Sequence, residues 1–208
     1  MAQVSLFDSI DTIKKPGNNI LPKDGEVLFF PAFFNKSDSD RLFKSLLDHI
    51  IWQQDQIKFY GKMIDLPRLT AWYGENEKPY TYSGIPMNPH PWNADLLEIK
   101  NKIETIADVN FSSVLLNRYR NGKDSVSWHC DNEKELGRNP VIGSVSFGAT
   151  RTFKLRHLQD KSLVEKVELT HGSYILMRGE TQHKWEHEIP KTSKPLSERI
   201  NLTFRVIK

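Results

Sequence analysis

Short runs with strand-like alternation of apolar and polar residues dominate the second half of the chain. They fall at 111–120, 125–131, 141–147, 150–156, 164–169, 173–178, 183–188 and 198–207. Gly122, Gly137, Gly148, Gly172 and Gly179 stand between or beside them. Many short strands separated by turns predict a β-sandwich or barrel.

The first half reads differently. Residues 37–51 carry an apolar stripe, Leu42, Phe43, Leu46, Leu47, Ile50 and Ile51, at helical spacing, with Ser37 as the expected cap. Asn93 can cap a second helix running to about Ala107, with Leu96, Ile99, Ile103 and Ile106 on one side. Val27 to Phe30 is a short apolar strand ended by Pro31. Residues 52–92 are rich in aromatics and punctuated by Gly and Pro, so short strands and loops are expected. The expected architecture is mainly β (α+β), with two amphipathic helices covering one outer face. Residues 1–22 lack periodicity and read as a loosely ordered tail able to lie on the domain, and 23–208 as a single domain.

Composition narrows the setting more than the function. A net charge of +3 over 208 residues permits a nucleic-acid partner without arguing for one. Cys130 is the single cysteine, so no internal disulfide can form, and an intracellular location is expected. That means cytoplasmic in a bacterium and nuclear in a eukaryote. No run approaches the ~18 apolar residues of a membrane helix, and the N-terminus shows no secretory signal pattern.

The candidate chemistry begins at Ser125-Val-Ser-Trp-His-Cys-Asp131. On a strand His129 and Asp131 project to one side, with Trp128 and Cys130 opposite. An imidazole beside a carboxylate is two-thirds of the facial triad that holds non-haem Fe(II). His157, His171, His183 and His187 are the candidates for the third ligand. His157 reads as exposed in a polar loop, and His171 falls in a turn. His183 and His187 share a face of one strand-like run, and the pattern does not choose between them. In the last strand Arg199, Asn201, Thr203 and Arg205 alternate with Ile200, Leu202, Phe204 and Val206. Turned inward, two guanidiniums on one face would need anions, and a dicarboxylate would satisfy both. Asn117 and Tyr119, two apart on a strand, could add hydrogen bonds to the same ligand.

His129-Cys-Asp131, then Trp185-Glu-His187, then Arg199-Ile-Asn-Leu-Thr-Phe-Arg205 resemble the AlkB-like Fe(II)/2-oxoglutarate dioxygenases. Pro67-Arg-Leu-Thr-Ala-Trp-Tyr-Gly74, Tyr80-Thr-Tyr-Ser83, Asn117-Arg-Tyr119 and Ser144-Val-Ser-Phe-Gly148 agree, and the resemblance is closest to the branch that repairs alkylated bases. It implies a double-stranded β-helix, or jelly roll. It selects His187, with His129 and Asp131, to hold Fe(II). It assigns Asn117, Tyr119, Arg199, Asn201, Thr203 and Arg205 to the 2-oxoglutarate pocket. O2 is the co-oxidant. The implied reaction is oxidative demethylation of N-alkylated bases such as 1-methyladenine and 3-methylcytosine in DNA and/or RNA, releasing succinate, CO2 and formaldehyde. The alternative is an oxygenase of the same type acting on a protein or small molecule.

The resemblance also points to substrate contacts. Residues 52–92 would be the nucleotide-recognition segment. Tyr80 and Tyr82 would grip the base, and Tyr60-Gly61-Lys62 would form a wedge. Lys58, Lys62, Arg68, Arg151, Lys154, Arg156, Lys191 and Lys194 would be available to phosphates. Asn132 stands where many relatives of this branch carry an acidic residue, with Glu133 as its expected substitute. The expected partner is DNA and/or RNA, with no membrane and a monomeric state.

Overall fold

The computed structural model describes residues 17–59, 61–75, 80–82, 85–87 and 89–208. In chain order the elements are β1 (Glu26–Phe30), α1 (Lys36–His49), β2 (Gln56–Phe59), β3 (Lys62–Asp65), β4 (Leu69–Gly74), β5 (Tyr80–Tyr82), β6 (Ile85–Met87), α2 (Ala94–Ala107), β7 (Ser113–Tyr119), β8 (Val126–His129), β9 (Ile142–Gly148), β10 (Arg151–His157), β11 (Val164–Leu169), β12 (Ser173–Arg178), α3 (Thr181–Lys184), β13 (Trp185–Ile189) and β14 (Arg199–Arg205).

Two antiparallel sheets form the body. The larger has the order β1-β12-β9-β14-β7-β4, the smaller β11-β10-β13-β8. One core lies between them: Ile142, Ile175 and Met177 of the large sheet meet Phe153, Leu155, Val167, Leu169 and Trp185 of the small one. A second core lies on the outer face of the large sheet. There Leu42 and Leu46 of α1 and Leu96, Ile99 and Ile103 of α2 pack on Val114, Leu116, Val145, Ile200, Leu202 and Phe204. Strand alternation therefore sorts β14 into two environments, both buried. Its apolar face meets the helices. Its polar face, Arg199 to Arg205, looks into the space between the sheets. The jelly-roll arrangement with two covering helices is the one expected.

Several local expectations change. Asn35, not Ser37, caps α1, its Oδ1 accepting the Asp38 N–H at 2.8 Å. Asn93 caps α2 as expected, accepting the Leu96 N–H. The buried stripe of α2 ends on Ala107 rather than Ile106, and Ile51 lies beyond α1 and is exposed. The described part of the tail, 17–22, lies on the body, which the sequence reading allowed. Ile20 and Leu21 are buried, and the Ile20 N–H donates to Val27 O. The run 183–188 is not one strand. A single turn of helix, α3, comes first, and His183 belongs to it.

Candidate metal centre and cosubstrate pocket

β8 and β13 are neighbours, and their register sets His129 opposite His187. The two ring centroids are 4.2 Å apart. Asp131 follows two residues beyond β8 and is buried, with its Oδ1 3.9 Å from His129 Nε2. One ligand atom from each of His129, Asp131 and His187 lies within 4.8 Å of the other two. Two imidazoles and one carboxylate grouped in this way can hold a divalent ion and leave its remaining positions open.

The protonation states suit that role. His129 Nδ1 lies 2.8 Å from Ser127 O. A carbonyl can only accept, so Nδ1 is the donor there and Nε2 is the atom that faces Asp131. Burial pushes the His187 imidazole down to about 3, so it is neutral at neutral pH. Burial alone would raise the Asp131 carboxyl. The charge of Arg205 and the hydrogen bond it donates oppose that, and the group is held at about 2. Arg205 Nη2 donates to Asp131 Oδ1 at 2.8 Å.

The other histidines are elsewhere. His183 Nε2 accepts the Asn139 N–H at 3.3 Å, outside the triad. His157 is buried, not exposed. It ends β10, contacts Asp24 at 3.2 Å and packs edge-on against Trp185. His171 Nδ1 accepts the Gly148 N–H at 2.9 Å. Cys130 points away from the triad, its Sγ donating to Trp185 O, and burial raises its thiol above the ordinary range.

The inward face of the large sheet completes the cavity. Arg199 pairs with Tyr119 across β14 and β7, and Asn201 with Asn117. All four, with Thr203 and Arg205, line the same cavity as the triad. Arg199 is 1% exposed, and burial lowers its guanidinium to about 10, which leaves it charged at neutral pH. Its Nη2 donates to Ser146 Oγ at 2.9 Å, and it lies 4.9 Å from the Tyr119 ring centroid. Its Nε and Nη1 are buried and find no hydrogen-bond partner among the described residues. A buried cation left so incompletely satisfied is costly alone and fits a bound carboxylate. Asn201 and Thr203 are committed to the sheet. Asn201 Nδ2 is within reach of Ser144 Oγ and Val145 O, at 2.8 and 2.9 Å, and Thr203 Oγ1 donates to Asn201 Oδ1 at 3.3 Å.

A family model described as the 2OG-Fe(II) oxygenase superfamily matches residues 26–205. The chain belongs to that superfamily. Alpha-ketoglutarate-dependent dioxygenase alkB homolog 3 of Bos taurus is 44% identical over 190 residues, which is 87% of this chain and 66% of that protein. DNA oxidative demethylase ALKBH2 of Homo sapiens is 34% identical over 188 residues, 86% of this chain and 72% of the relative. This 2OG-Fe(II) oxygenase is thus AlkB-like. Its chain spans just under two thirds of the length of the cattle relative. The solved structure of OsALKBH1 shares the fold, with a TM-score of 0.61 at 16% identity over 92% of this chain and 98% of that one. A prolyl hydroxylase from Trichoplax adhaerens, in complex with a hypoxia inducible factor peptide, shares it with a TM-score of 0.60 at 13% identity, covering 87% and 83%. The superfamily's Fe(II), 2-oxoglutarate and O2 are the cofactors this donor set and the orphaned Arg199 nitrogens fit.

The sequence-predicted substrate residues divide. Gly61, Lys62 and Asn132 are exposed, and Gly61 has φ +80°, a backbone state that favours glycine at the β2–β3 turn. Glu133 is half-buried, and its Oε2 has no partner. Arg68 corrects an expectation. It is buried rather than exposed, with Nε donating to Asn117 Oδ1 at 2.7 Å and Nη1 to Ser125 O at 3.3 Å, so it braces the pocket wall. Arg151 is likewise buried and donates to Asp124 O and Pro190 O. Tyr60 and the side chains of Tyr80 and Tyr82 lie outside the described residues. Sequence reasoning missed Ser146, although Ser144 and Ser146 share strand parity and were quoted for their motif alone. It also missed Gln182, whose Oε1 accepts the Asp131 N–H across 51 positions, a contact with no local signal.

Proposed function

We propose that the chain catalyses oxidative demethylation of N-alkylated bases, such as 1-methyladenine and 3-methylcytosine, in DNA or RNA. The observation that carries this is the His129, Asp131, His187 cluster beside the orphaned Arg199 guanidinium, in a chain with AlkB relatives. His129 Nε2, the Asp131 carboxylate and the neutral His187 imidazole would hold Fe(II). Arg199 would take a carboxylate of 2-oxoglutarate, with Tyr119 and the amide nitrogen of Asn117 at its side. Arg68 fixes the orientation of that amide by occupying Asn117 Oδ1. Arg205 keeps Asp131 ionised. When bound, iron with 2-oxoglutarate supplies the oxidation of an N-methyl C–H bond by O2, giving succinate, CO2 and a hydroxymethyl base that sheds formaldehyde.

A base inside a duplex cannot reach a cavity between two sheets, so it must be flipped out or already single-stranded. A base methylated on a ring nitrogen is often cationic and would be held on an aromatic face. Tyr80 and Tyr82 serve that role in this reading. Among the described residues the β2–β3 pair joins no other sheet, and its strand Lys62–Asp65 is exposed along its length, which suits a segment that enters nucleic acid. The test is mass spectrometry of methylated single- and double-stranded DNA and RNA oligonucleotides incubated with Fe(II) and 2-oxoglutarate. Loss of the methyl group with equimolar succinate is expected. Succinate release with every oligonucleotide unchanged would overturn the assignment of substrate.

A further inference from the structure

Asp131 lies beyond the last residue of β8, so no strand ladder holds its backbone. One side chain does. Gln182 Oε1 accepts the Asp131 N–H at 2.9 Å, and both residues are buried, Gln182 at 1% exposure. Its Nε2 is 3.5 Å from the sulfur of Met177, a residue of β12 that lines the same cavity. Gln182 sits in α3, the single turn of helix ahead of β13 and five positions before His187. The turn is itself pinned. Thr181 Oγ1 accepts the Glu26 N–H at 2.9 Å and donates to Arg178 O at 2.6 Å.

We propose that Gln182 is a positioning residue for the metal centre. It ties the element that delivers Asp131 to the element that delivers His187. Asp131 has two constraints: Arg205 holds its carboxylate, and Gln182 holds its backbone. A carboxylate ligand fixed at one oxygen alone can swing about its backbone torsions. With the N–H also fixed, the carboxylate is set relative to both imidazoles before an ion arrives. Groups that orient metal ligands in this way commonly govern affinity by about 10- to 100-fold. The inference rests on the reading of His129, Asp131 and His187 as the metal centre.

The experiment uses the full chain freed of metal, titrated with Mn(II), together with the visible spectrum of its Co(II) form. Gln182→Leu removes the acceptor at similar volume. It is expected to weaken Mn(II) binding by about 10- to 100-fold and to alter the Co(II) bands. Gln182→Glu keeps an acceptor oxygen at the same reach and should restore most of the affinity. If Gln182→Leu fails to fold, Gln182→Asn, one methylene too short to reach the amide, serves the same comparison. Folded variants that bind Mn(II) as tightly as the parent, with an unchanged Co(II) spectrum, would overturn the role of Gln182. A parent chain that binds neither ion would instead overturn the metal reading beneath it.

Discussion

Arg205 and Asp131, 74 residues apart in the chain, form a buried ion pair at 2.8 Å in which each side chain is 2% exposed. The pair gives Arg205 a duty toward the metal ligand that Arg199 lacks. Arg205→Ala would leave the Asp131 carboxylate buried without its counter-charge. Breaking such a pair from one side typically costs about 3–5 kcal/mol. In a domain of this size that corresponds to a melting temperature lower by roughly 10 °C. Thermal unfolding followed by circular dichroism, with a parallel Mn(II) titration, should show both stability and metal affinity falling. A variant as stable as the parent would mean that the pair adds nothing.

Arg199 should behave in the opposite way. Among the described residues its buried side chain has no acidic partner, and two of its nitrogens have no hydrogen-bond partner. Arg199→Met removes that uncompensated cation at similar length, so the melting temperature should hold or rise. Affinity for 2-oxoglutarate should fall by about 100-fold, as expected when about 3 kcal/mol of charged hydrogen bonding is lost. Mn(II) affinity should change little. Calorimetric titration with each ligand checks the split; retained 2-oxoglutarate affinity would place the carboxylate elsewhere.

The register of β8 and β13 makes a sharp distinction between two histidines. His187→Ala should abolish metal binding and turnover, because the ring opposite His129 is lost. His183→Ala removes an acceptor from the Asn139 N–H and no ligand atom, so metal binding should persist. Metal content after dialysis decides it. The reverse pattern would show that α3 and β13 are placed wrongly.

The two tyrosine roles should separate on strand state. Flipping a paired base costs a few kcal/mol, which a single strand is largely spared. Tyr60→Ala should slow repair of duplex DNA and leave single-strand repair nearly intact. Tyr82→Ala should slow both, since base–aromatic stacking is worth about 1–3 kcal/mol in either setting. Single-turnover rates on matched substrates give the comparison. Equal losses for Tyr60→Ala on both would make it part of the pocket wall.

Much of the site was legible because strand parity is a local property. His129 and Asp131, Asn117 and Tyr119, and Arg199 to Arg205 each share a side by spacing alone. Arg68 and Arg151 misled for the opposite reason. A charged side chain reads as exposed whether in a loop-rich stretch, as for Arg68, or on a strand, as for Arg151, and only the fold shows that each donates to buried acceptors. His157 was misread in the same way. Its polar neighbours suggested a loop, yet it closes β10 against Trp185.

The sequence by itself determined the alternation that puts Ile200, Leu202 and Phe204 on one face of β14 and two arginines on the other. It also determined the two helical stripes that cover the apolar face. Strand parity left His183 and His187 open and the family resemblance chose His187; tertiary structure decided that His187 lies opposite His129, that Arg205 and not Arg199 pairs with Asp131, and that Gln182 holds the Asp131 backbone. The physical reason is range. Periodicity is written in covalent neighbours, whereas these choices depend on strand register and on hydrogen bonds between residues about fifty or more positions apart, which no spacing along the chain encodes.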